Sequence, residues 1–298
     1  MLHQRNSMEK KLPPVRRLYA VGLMVVSTLM FASMHAIVRH VSSEGLHPFE
    51  IAFFRNFFGL LVILPWIARQ GLAPLRTKRL GSHALRASFN AIAMLAFFWA
   101  LSIAPLSQVQ ALAFGAPVFA TVLAAIFLGE KAGPRGWIAI IAGFAGIMVV
   151  LRPGIEDVGL GAGLTIFAAM TWAVTLLVIK SLIRTESSVT ITAYMSLLIA
   201  PIVLVPALFV WQWPDPTQWM WLIATGILGN LGQILMVYAL KQAPTHVVMP
   251  LDFLKLVWVS IIAFLAFSEI PDLFTWIGGV LIFLGAALIA IGERKRAS

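Results

Sequence analysis

This sequence predicts an all-α membrane protein: ten transmembrane helices arranged as two inverted five-helix repeats, with both termini cytoplasmic. Three observations carry the prediction. The 298-residue chain is 60% hydrophobic and only 11% charged, with a mean hydropathy of +0.92, whereas a soluble domain carries roughly a quarter charged residues. Its apolar residues fall into ten runs separated by short loops. The closing part of each half spells one pattern twice.

Each run is accounted for in turn. The first, at 18–38, follows a basic tail (Arg5, Lys10, Lys11, Arg16, Arg17). A cleaved signal has a shorter apolar region and a small-residue cleavage site; this run is full length and holds His35, so it reads as an uncleaved first span. Runs at 49–68, 87–103 and 106–128 follow, and a shorter one at 134–151 closes the first half. The second half repeats the count at 158–179, 189–211, 217–239, 246–268 and 272–292. Most approach the ~20 residues that cross a ~30 Å hydrocarbon core. The organisation expected is a basic cytoplasmic tail at 1–17, a first five-helix repeat at 18–152, a second at 153–292 and a basic tail at 293–298. No stretch is left for a separate soluble domain.

Charge orients the spans. With the N-terminus inside, 18 of the 22 Lys and Arg residues fall on cytoplasmic segments. Only Arg39 and Arg152 fall outside, while Arg55 and Lys255 lie within spans. This is the positive-inside asymmetry of a ten-span protein. It also accounts for the net charge of +10 without nucleic acid, because the basic residues are spread over six segments and form no single phosphate-gripping patch.

The repeat is read at a constant offset of 139, which aligns Ala100 with Ala239, Leu101 with Leu240, Ala104 with Ala243 and Pro105 with Pro244. Further on it aligns Val109 with Val248, Leu112 with Leu251, Phe114 with Phe253, Glu130 with Glu269, Trp137 with Trp276 and Gly146 with Gly285. At offset 141, Phe31 and Arg39 match Trp172 and Lys180. Each half holds an odd number of spans, so the two copies run through the bilayer in opposite directions. Inverted repeats of this kind hold their site near mid-bilayer, at the interface between the halves.

Two five-span halves, an Ala-Pro turn opening the fourth span of each (Ala104-Pro105, Ala243-Pro244), and Gly129-Glu130 closing it resemble the drug/metabolite transporter superfamily. Within it the chain is similar to the EamA-type exporters of bacterial inner membranes, over residues 18–292. The second copy departs from the pattern by carrying Ser268 before Glu269. The resemblance implies a multi-pass inner-membrane secondary transporter working by alternating access on a small amphipathic metabolite, with amino acids the expected cargo.

Ionisable groups inside spans are costly and are functional candidates by default. Asp252 and Lys255, three residues apart on the ninth span, share one helix face and can pair. Their first-half counterparts are Ala113 and Ala116, so the pair breaks the repeat symmetry. They are expected at the substrate site, with Asp252 and His35 as candidates for proton coupling. Arg55, early in the second span, reads as a residue snorkelling to the outer interface.

Asn90 and Asn230, at near-equivalent repeat positions, with Gln233 beyond, are expected at the cavity; amides that glue helices together are the alternative. Gly226, Gly229 and Gly232 flank Asn230. Trp172 and Thr175, with Thr171, offer an aromatic and hydroxyl wall, and Gln108 and Gln110 open the fourth span. Trp99 and Tyr238, at matching positions on opposite faces, are expected as gates. Ala139/Gly143, Ala142/Gly146 and Ala286/Ala290 on the fifth and tenth spans mark close packing, as scaffold or as a homodimer contact.

An intramembrane enzyme would need paired aspartates, a metal motif such as H-E-x-x-H or a Ser/His dyad, and none is present. A channel would be built from symmetric subunits around an axis. There is no cysteine and no nucleotide-binding P-loop, so neither a cofactor nor ATP is expected.

Overall fold

The structure, a computed structural model, describes residues 14–70, 77–127, 134–153, 158–182, 185–186, 188–242 and 248–297. Within them the chain builds ten spans. Span one is α1 (Pro14–Ser43), span two α2 (Pro48–Gln70) and span three α3 (Leu80–Ile103). Span four is split into α4 (Leu106–Ala113) and α5 (Ala116–Phe127), and span five is α6 (Pro134–Leu151). Spans six to eight are α7 (Leu160–Leu182), α8 (Ser188–Leu208) and α9 (Pro216–Gln242). Span nine begins as a 3-10 turn (Met249–Phe253) and continues as α10 (Leu254–Phe267); span ten is α11 (Leu273–Ala297).

Five stretches, among them Leu18–Ser43, Leu80–Ile103 and Leu106–Phe127, are long and apolar enough to cross a bilayer by length and composition alone. Backbone in hydrocarbon must satisfy its own hydrogen bonds, which is why spans are helices.

The packing obeys the repeat. Spans one and eight lie along each other, and so do their repeat counterparts, six and three. Span two packs on eight, and its counterpart seven packs on three. Spans five and ten, which are counterparts of one another, pack together. The halves are therefore interleaved, and the main core draws Val38, Phe97, Leu101 and Leu106 from the first half with Leu222, Val259 and Ala263 from the second.

Small residues allow the closest crossings. A Cβ on Gly146 would sit 2.6 Å from the Gly278 carbonyl oxygen, and one on Gly285 would sit 2.6 Å from that of Ala139. Ala139, Gly143 and Gly146 of span five are thus used within one chain, against Gly278 and Gly285 of span ten. Their outward faces, with Ile141, Phe144, Ile277 and Leu284, are exposed and apolar, as a lipid-facing surface is.

Span nine ends at Ser268, whose left-handed backbone (φ 55°) turns the chain sharply and returns the Glu269 N–H to the Ala263 carbonyl at 3.1 Å. That conformation favours glycine, which is what Gly129 supplies at the matching place in sequence. Gly129, Glu130 and Pro244 lie outside the described residues.

Two variants test this packing. Gly146→Val should cost about 1–3 kcal/mol of stability, as overpacking does, while Ser268→Gly should add about 1 kcal/mol by relieving the left-handed strain. Thermal unfolding of the purified protein in detergent reads both.

Candidate functional site

Span four is interrupted because Pro117 follows Ala116. Proline has no N–H to donate to the carbonyl four residues back, here Ala113, and α4 ends at Ala113, with Phe114 and Gly115 forming a turn before α5 starts at Ala116. In span nine Pro250 falls within the tight 3-10 segment. The two irregular points meet: Phe114 and Phe253, partners in the repeat, have ring centroids 5.7 Å apart. Discontinuous helices of this kind are where inverted-repeat proteins expose helix ends to a ligand.

Around that crossing runs a continuous set of polar and aromatic contacts. Asp252 and Lys255 pair at 2.7 Å, and the Lys255 ammonium lies 4.8 Å from the centre of the Phe31 ring, a cation–π contact. One turn further along span one, His35 Nδ1 hydrogen-bonds Gln110 Oε1 at 3.1 Å. The His35 ring meets Phe97 edge-on at 5.1 Å, and Phe97 meets Trp172 at 5.0 Å. Trp172 Nε1 donates to Asn90 Oδ1 at 2.9 Å. Spans one, three, four, six and nine thus bring Asn90, Trp172, His35, Asp252 and Lys255 into one belt.

The other expected site residues lie apart from the belt or face their own helix. Thr175 is buried and its hydroxyl donates back to the Thr171 carbonyl. Asn230 donates to the Gly226 carbonyl at 3.3 Å and fills the space above Gly59, which is the packing role of an interhelical amide. Gln233 is half-buried one turn along. Trp99 is 36% exposed against Phe49 at the end of span three, and Tyr238 is 52% exposed; those placements lend no support to a pair of gates.

Arg55 differs from expectation. Its guanidinium does not reach the interface: Nε is buried without a hydrogen bond, and the group lies against Gly229, where a Cβ would meet Nε at 3.0 Å.

Closure at the face that charge assigns to the outside falls to residues the sequence marked only as landmarks. Arg39 donates to Glu269 Oε1 at 3.0 Å and to the Leu101 and Ala104 carbonyls that end span three. Glu269 Oε2 accepts the Leu106 N–H at 3.0 Å, so one carboxylate also caps the start of span four. Arg152 pairs with Asp272 nearby, and the buried Glu50 accepts the Gln212 N–H at 2.6 Å. Apart from the Arg39 bonds to Leu101 and Ala104, these contacts cross between the halves. Between Pro105, Ser107, Arg152, Gly161 and Asp272 lies a cavity of about 510 Å³. The matched glutamates and the Arg39–Lys180 match were the signal for this seal, had they been read as structure.

The comparisons with known proteins agree with this architecture. The EamA-like transporter family matches residues 18–152 and 159–291. A riboflavin transporter of Vibrio cholerae is 33% identical over 92% of this chain and 93% of its own. An S-adenosylmethionine uptake transporter of Rickettsia felis is 30% identical over 94% and 95%, and a pseudopaline exporter of Pseudomonas aeruginosa 28% over 93% and 96%. A solved crystal structure of 18% identity aligns with a TM-score of 0.61 over 94% of this chain and 99% of that one.

The outer contacts can be probed directly because the chain has no cysteine of its own. With Ser107→Cys as a reporter, buried at 2% exposure, adding Glu269→Gln should speed maleimide labelling about tenfold or more, as loss of a charged hydrogen bond of ~1.5–3 kcal/mol allows. An unchanged rate would show that the seal does not depend on this carboxylate.

Proposed function

We propose that this chain, which belongs to the EamA-like transporter family and is a small-metabolite transporter of the bacterial inner membrane, carries amphipathic metabolites with an amino-acid group by alternating access. The observation that carries the reading is the belt between the halves. It offers aromatic faces at Phe97, Trp172 and Phe31 for an apolar body, beside amides and an ion pair for a charged head. Such an alternation of apolar wall and few polar groups is how small-molecule sites fix orientation.

The relatives support a broad cargo class more than a single compound. Their named cargoes are riboflavin, S-adenosylmethionine and pseudopaline. None is a plain amino acid, although S-adenosylmethionine carries an amino-acid end. Both uptake and export are represented, so direction in this reading follows the gradient rather than the fold.

The rocking motion would break and remake the contacts at Glu269 while the belt stays near mid-bilayer. Proton coupling, in this reading, rests on Asp252, paired with Lys255, and on His35, paired with Gln110.

The test is counterflow in proteoliposomes against labelled amino acids, S-adenosylmethionine and riboflavin. Saturable exchange of at least one amino-acid-bearing compound is expected, and Asp252→Asn should lower its flux tenfold or more at unchanged membrane insertion, the size of a lost charged contact. Absence of flux across the whole panel would contradict the cargo class; full flux in the variant would assign Asp252 to packing.

A further inference from the structure

Among the described residues, Arg55 has no counter-ion inside the membrane. It stands seven residues into span two, about 10 Å along the helix axis. Among the described residues a single acceptor takes its protons: Nη1 donates to Asn56 Oδ1 at 3.0 Å. The Asn56 amide is itself spent on the Ala52 carbonyl and the Met94 sulfur, so its oxygen is held in place for Arg55. Around the guanidinium lie Met34 and the bare backbone of Gly229. Glycine at that position is what makes room, since a Cβ would stand 3.0 Å from Nε and 3.2 Å from Nη2.

Every carboxylate whose side chain the structure describes is committed elsewhere. Glu44 pairs with His40, Glu269 with Arg39, Asp272 with Arg152 and Asp252 with Lys255. Glu50 accepts the backbone of Gln212 and His47. Glu186 takes the Thr77 hydroxyl, and Asp215 caps span eight. A desolvated charge without a counter-ion is strongly unfavourable, and the planar guanidinium fork is built to bind a carboxylate or phosphate through two hydrogen bonds.

We infer that Arg55 is the anion-binding residue of the cargo site, and that the group it takes is a single carboxylate. The inference deepens the proposed function and rests on that reading. Charge decides for the carboxylate: with Asp252 and Lys255 neutralising each other, Arg55 leaves one positive charge, which a carboxylate balances and a phosphate dianion would overshoot. The absence of a side chain at Gly229 lets the guanidinium lie against that backbone, and Asn56 holds it from one side, so that Nε and Nη2 have no protein acceptor among the described residues.

The test compares the full-length protein with Arg55→Gln and Arg55→Lys in detergent by thermal unfolding, without ligand and with millimolar methionine, methioninamide, S-adenosylmethionine, riboflavin or flavin mononucleotide. Without ligand, Arg55→Gln should melt about 2–4 °C higher, the size of a ~1 kcal/mol gain in a chain of this order, because it removes an unpaired charge. Methionine or S-adenosylmethionine should raise the melting temperature of the parent and not that of Arg55→Gln, with Arg55→Lys retaining part of the shift. Methioninamide should raise neither.

A lower melting temperature for both variants without ligand would make Arg55 a structural residue and overturn the inference. So would equal ligand shifts in parent and Arg55→Gln, no shift from either carboxylate compound, or a shift from flavin mononucleotide alone. Counterflow, measured separately, decides whether the protein transports, so a silent melting assay beside active flux would reject this site and not the transport reading.

Discussion

Glu269 holds together three spans that belong to opposite halves. One of its oxygens takes the Arg39 guanidinium of span one, and the other caps the first N–H of span four. Arg39 in turn closes the carbonyl end of span three. Helix ends leave backbone groups without partners, and in hydrocarbon those groups have no water to turn to. The carboxylate therefore answers a demand that exists wherever two spans join by a two-residue Ala-Pro turn at this depth. With side-chain exposures of 23% and 18%, the pair is sheltered enough to count and open enough to be exchanged for water. A charge-assisted contact of ~1.5–3 kcal/mol is strong enough to favour one arrangement of the halves and weak enough to be given up.

The landmarks of the repeat gain physical meaning in this light. Ser268, the residue before Glu269, supplies the left-handed conformation that turns the chain, at φ 55°. The glutamate then reaches the other half. In the second half, what looks like a family signature in sequence is a helix stop followed by a cross-half tie. The break at Phe114–Gly115 and the 3-10 turn at Met249–Phe253 follow the same logic, since each places an irregular backbone where the halves cross and the Phe114 and Phe253 rings touch.

Much of the architecture was legible from the chain: spans from the apolar runs, inversion from the charge count, and the Asp252–Lys255 pair from its i, i+3 spacing. What resisted was the choice of partner for each helix face. In a membrane the lipid is as apolar as the protein interior, so hydrophobic periodicity does not say which side of a span turns inward. Ala139, Gly143 and Gly146 read equally well as a dimer contact, and only the crossing with Gly278 and Gly285 puts them inside one chain. Trp99 and Tyr238 have the right symmetry for gates but sit exposed. Arg55 has the sequence position of a snorkelling residue, and only the slot at Gly229 keeps it buried. Matching charges to partners required coordinates, because Arg39 and Glu269 lie 230 residues apart.

The central claim is that the two halves move against each other around the belt, with Glu269 holding one arrangement. It is tested most directly by pulsed electron-spin distance measurement between labels at Ile103→Cys and Ile270→Cys, exposed positions on opposite halves at the outer end, in lipid nanodiscs. The account predicts two distance populations whose balance shifts toward the longer one when Glu269→Gln is added. A single distance, unchanged by that substitution, would contradict it.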